Sequence, residues 1–165
     1  MSPLLAHALG WGLVLSVYMT AVIFVLAKID LAMWVNDFPP DVRERFGPMS
    51  PESRRRGYLL GLPAMAAGLA IAIVGTMRAG GGEPLGFGES FAHMFVVMTV
   101  FNLVDLIVLD WLIFVRLRPS FLVLPGTEGC AGYDDDAFHF IAFLKGTVLI
   151  TVLSAVVAAI LSVVR

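Results

Sequence analysis

Charge is scarce in this chain. Asp, Glu, Lys and Arg supply 15% of its 165 residues, while 59% are hydrophobic. A soluble domain of this size needs about a quarter of its residues charged to cover its surface, so a water-soluble globular fold is excluded. Cysteine is scarcer still. Cys130 stands alone, which rules out an internal disulfide and leaves the redox compartment open. No catalytic triad or metal-ligand motif appears, and the glycine-rich stretch 78–90 lacks the lysine of a phosphate-binding loop. It reads as a flexible connector. No catalytic residue, metal or cofactor is therefore expected, and no nucleic-acid partner. The net charge of -2 says little more, because the charges are unevenly placed.

What the chain has is long uncharged runs. A transmembrane helix takes roughly 20 mainly apolar residues. Four segments qualify: Ala8 to Lys28, Tyr58 to Met77, Phe91 to Val115, and Phe138 to Val164. The expectation is an all-α, polytopic four-helix transmembrane bundle, a single domain over residues 1–165 with connecting loops 29–57 and 116–137. The first run has no basic leader and no cleavage pattern behind it, so it reads as a retained anchor.

Basic residues give the orientation. Lys28, Arg43, Arg45, Arg54, Arg55, Arg56, Arg116, Arg118 and Lys145 border the two long loops; only Arg78 and Arg165 lie on the other side. By the positive-inside rule both loops are cytoplasmic and both termini extracytoplasmic, in the cell (inner or plasma) membrane. Arg54–Arg56 anchor that topology and could also meet anionic lipid headgroups at roughly 1 kcal/mol per charge. Within the first loop, "PPDVRERFG" predicts a short helix ending at Gly47, and Ser50 is placed to cap a helix entering span two.

Small residues recur at four-residue spacing: Gly12, Ser16 and Thr20; Ala64, Gly68, Ala72 and Thr76; Ser154, Ala158 and Ser162. Such faces let helices approach closely, within a bundle or between subunits.

Span three carries the chemistry. Asn102, Asp105 and Asp110 fall within roughly a 140° arc at 100° per residue, with Thr99 on the same side. An ionised carboxylate near mid-span costs at least about 2.5 kcal/mol, so Asp105 is expected to hold its proton or share a hydrogen bond with Asn102, one turn away. This pair is the candidate intramembrane polar site; interhelical glue worth around 0.6 kcal/mol is the plainer account. Counted from the span centres, Asp110 and Lys145 lie about 10 and 9 Å towards the loops, which predicts an ion pair. Arg116, Arg118, His139 and Lys145 form a candidate headgroup-binding cluster. His139 follows Asp135 by one turn, spacing that suits a hydrogen-bonded pair. Asp134, Asp135 and Asp136 stand where a helix start wants caps.

His7 and His93 fall near the outer surface. Their placement admits a two-histidine haem site, but interfacial histidines are common without ligands, and none is expected here.

The stretches "NLVDLIVLDWLIF", "RPSFLVLPGTEG" and "FHFIAFLKG" resemble a recurring pattern in an uncharacterised family of small bacterial four-span integral membrane proteins. The resemblance covers residues 101–146 and implies no known activity. It directs attention to span three, the loop after it and the start of span four.

Three functions follow as expectations. The first is a non-catalytic accessory or scaffold component of a membrane assembly, not an enzyme. The second is a small oligomeric transporter or proton-linked channel using Asp105 and Asn102. The third is a lipid-headgroup-active enzyme using the cytoplasmic cluster. Partners would be the bilayer, further copies of the chain or a larger membrane complex, and anionic headgroups.

Overall fold

Each of the four apolar runs is a helix in the computed structural model, which describes residues 1–164. Span one is Pro3–Asp30, span two Pro51–Arg78, span three Phe87–Leu117 and span four Asp136–Val164. All four are long and apolar enough to cross a membrane, and no strand occurs among the described residues. The chain is thus a multi-pass helical membrane protein. Arg165, one of the two basic residues on the side of the termini, lies outside the described residues.

The helices extend beyond the uncharged runs because caps, not hydropathy, set their ends. Ser2 Oγ accepts from Leu5 N ahead of Pro3, and Ser50 Oγ accepts from Ser53 N ahead of Pro51. Asp135 Oδ1 accepts from Phe138 N at 2.9 Å. Each satisfies an amide that the first turn leaves free, an effect typically worth about 1 kcal/mol.

Consecutive spans are antiparallel, so both termini lie at one end and both long loops at the other. Span three is central: it packs along spans one and four and also touches span two. The terminal half is a solid core of Ala8, Leu15, Met19, Ala72, Met94, Val97, Val157 and Leu161. The small-residue faces are spent inside this bundle. Gly12, Ser16, Gly68, Ala72, Thr76, Ser154 and Ala158 are buried, whereas Ser162 is exposed. Outward-facing Val17, Leu59, Ile107, Val148 and Val163 leave apolar surface that suits lipid.

Two features depart from a plain four-helix reading. Residues Gly57–Gly61 and Asp105–Leu117 take π-helical i→i+5 bonding, a wider coil often found at functional sites. The loops also fold onto each other. The first holds a short helix, Pro40–Phe46, ended by Gly47 at φ 92°. Val35, Phe38 and Val42 of that loop bury themselves against Leu124, Cys130 and Tyr133 of the second, forming a separate apolar cap over the bundle end. The signal was in the sequence as apolar stretches within both loops, "LAMWV" and "SFLVL".

Candidate functional site: an acidic, aromatic cavity

Between cap and bundle lies a cavity of about 330 Å³. Span one contributes Ile23 and Ala27; the segment after it contributes Trp34, Asp37 and Phe38. Span three contributes Asp105, Leu109, Asp110 and Phe114, the second loop Tyr133, and span four Phe138, His139 and Ala142.

Its walls are fixed by specific bonds. The Tyr133 hydroxyl accepts from Leu124 N at 3.0 Å and lies 2.7 Å from Thr127 Oγ1, which itself donates to Leu124 O. Phe38 meets the rings of Tyr133 and Phe114 edge-on, at centroid distances of 6.0 and 6.3 Å. Asp41 Oδ2 accepts from Gly132 N at 2.9 Å and so clamps one loop to the other. A side chain at position 132 would run into Asp41 and Pro39; only glycine permits that approach.

Arg118 closes the end of span three in a left-handed conformation, φ 40°, uncommon for a residue with a side chain. Its contacts hold it there. The guanidinium donates to Val115 O, Tyr133 O and Asp134 Oδ1, and it lies over the Tyr133 ring at 5.3 Å.

Within the cavity the polar groups divide. Asp110 Oδ1 meets His139 Nδ1 at 3.1 Å, with both side chains largely buried. Asp105 is half-buried, lines the cavity and makes no hydrogen bond among the described residues. The buried indole N–H of Trp34 also has no partner there.

Several expectations need correction. Asn102 does not join Asp105: its Nδ2 donates to Phe143 O at 3.2 Å and Thr147 Oγ1 at 3.1 Å on span four, so it ties helices together. The helix changes bonding at Asp105, and the 100° step used for the arc fails from that residue onward.

Asp110 and Lys145 are not an ion pair. Asn102 lies opposite Phe143–Thr147 and Trp111 bonds to Asp136 O, a register that brings His139, not Lys145, level with Asp110. Lys145 is exposed, roughly 120° round the helix from His139. The equal-midpoint estimate misplaced it because the two spans are offset along their axes.

The headgroup cluster is likewise engaged elsewhere. Arg116 pairs with Asp136 at 2.7 Å, Arg118 with Asp134, His139 with Asp110, and Lys145 stands apart. Of the three aspartates only Asp135 caps, and its carboxylate serves Phe138 N instead of His139. Residues 34, 37, 38, 133 and 138 entered the site unannounced. Their lone signal was a dense aromatic and acidic composition at "WVNDF" and "YDDDAFHF".

At the other end of the bundle the histidines form a closed chain. Trp11 Nε1 donates to His7 Nε2 at 3.1 Å, His7 Nδ1 lies 2.9 Å from His93 Nε2, and His93 Nδ1 lies 3.0 Å from Thr76 Oγ1. Thr76 then donates to Ala72 O. The donor directions close when both rings carry their proton on Nδ1. Every ring nitrogen is used, and direct His–His contact leaves no gap for an iron.

No protein-family model, curated protein or solved structure matches the chain. Fold and site therefore define a class: a four-span helical membrane protein with an acidic, aromatic cavity under a cap made by its own loops. No group of three or more His, Cys, Asp or Glu among the described residues is arranged to hold a metal ion.

Proposed function

We propose that the protein is a small proton-linked transporter or channel of the cell membrane, in which Asp105 takes up and releases a proton or cation. One observation carries this reading: Asp105 opens into a cavity with no hydrogen-bond partner, although an acid at this depth is expensive unless it has work to do. Asp110 and His139 hold each other beside it. The terminal half of the bundle is solidly packed, so a continuous path runs between subunits of a homo-oligomer or along a partner in a larger membrane assembly. A non-catalytic accessory role needs no such cavity. A headgroup-active enzyme would draw on Arg116, Arg118, His139 and Lys145, and aspartates already engage the first three.

Reconstituted vesicles carrying a pH-sensitive dye test the proposal. Under an imposed potential, wild-type protein should move protons and Asp105→Asn should not. Wild-type flux equal to that of empty vesicles leaves the accessory role in its place. Orientation is checked separately, by labelling single cysteines at Ser2 and Ser50 from outside intact cells. The positive-inside rule expects Ser2 to label and Ser50 to stay protected.

A further inference from the structure

We propose that the cavity's ligand is an organic ammonium ion. This rests on the reading of the cavity as the transport site and names the substrate class. Three carboxylates, Asp37, Asp105 and Asp110, line it, and no Lys or Arg does. Asp110 is engaged by His139 and Asp37 faces Arg43, which leaves Asp105, once it gives up its proton, to meet a positive charge. Arg118 stands over the Tyr133 ring without lining the cavity.

The rest of the wall selects the kind of cation. A metal ion or a hydrated alkali ion wants converging oxygens, and no His, Cys, Asp or Glu group among the described residues is arranged to hold one. These walls instead carry the rings of Trp34, Phe38, Phe114, Tyr133 and Phe138. Aromatic faces attract a cation through the ring quadrupole, the means by which quaternary ammonium groups are recognised. A volume near 330 Å³ lies at the small end of ligand pockets and suits a compact amine with one apolar arm. An anionic or sugar-like ligand would find neither a countercharge nor enough hydrogen-bonding groups.

The test is equilibrium dialysis of radiolabelled benzyltrimethylammonium against purified protein in mild detergent, with neopentylbenzene, its uncharged isostere, as competitor. Saturable binding at one site per chain is expected, undisturbed by the isostere. Affinity should fall at least tenfold in Asp105→Asn and severalfold in Phe114→Leu, with Asp105→Glu retaining binding and melting curves confirming that each variant is folded. Absence of saturable binding, or equal displacement by the isostere, overturns the proposal. Proton flux without ammonium binding overturns it while leaving the transport reading intact. Ammonium binding without flux does the reverse.

Discussion

The two ends of the bundle use polar residues in opposite ways. At the terminal end, Trp11, His7, His93 and Thr76 form a chain in which each donor finds an acceptor, and the surrounding core has small-residue contacts throughout. At the loop end, Asp105 lines an open cavity and makes no hydrogen bond among the described residues. A buried polar group that is fully satisfied fixes structure; one left unsatisfied costs stability. The histidine end is a clasp, and the aspartate end is the site we propose.

That contrast can be broken by mutation. The largest effect expected is on transport: Asp105→Asn should reduce proton flux to background while leaving the melting temperature unchanged or raised, because it removes a carboxylate without a partner. A large loss of stability instead would make Asp105 a structural residue. His93→Ala should show the mirror image. It empties a buried ring site and strands His7 and Thr76, a loss of about 3–5 kcal/mol, with flux per folded protein unchanged. The same chain predicts no stoichiometric Soret band after expression with excess haem precursor.

The Asp110–His139 pair sharpens the comparison from within the cavity. A double-mutant cycle with Asp110→Asn and His139→Gln, read as thermal or denaturant stability, should give a coupling of roughly 0.5–3 kcal/mol. Additive losses would mean that the 3.1 Å contact contributes nothing. Lys145→Met should cost nothing and leave stability unchanged or raised, since its side chain is exposed and unpaired among the described residues and lies level with Asn102, where a charge is expensive.

Four uncharged runs of sufficient length required four helices, since in lipid the backbone must satisfy its own hydrogen bonds. Ser50, Asp135 and Gly47 likewise marked helix ends by local chemistry alone. The sequence also singled out Asp105 as an acid in an expensive place. It did not reveal which side chains meet. Asp110 found His139 because spans three and four settle at a register set by the whole interface, and a change of one residue turns a side chain by roughly 100°. The π-helical stretch from Asp105 onward altered that angle again. The cavity itself required the two loops to meet, with Phe38 against Tyr133 and Asp41 on Gly132, contacts between residues about ninety positions apart. Hydropathy and capping act over a few residues and are written in the local sequence; register and loop docking are collective minima of the folded chain, and only the tertiary structure decides them.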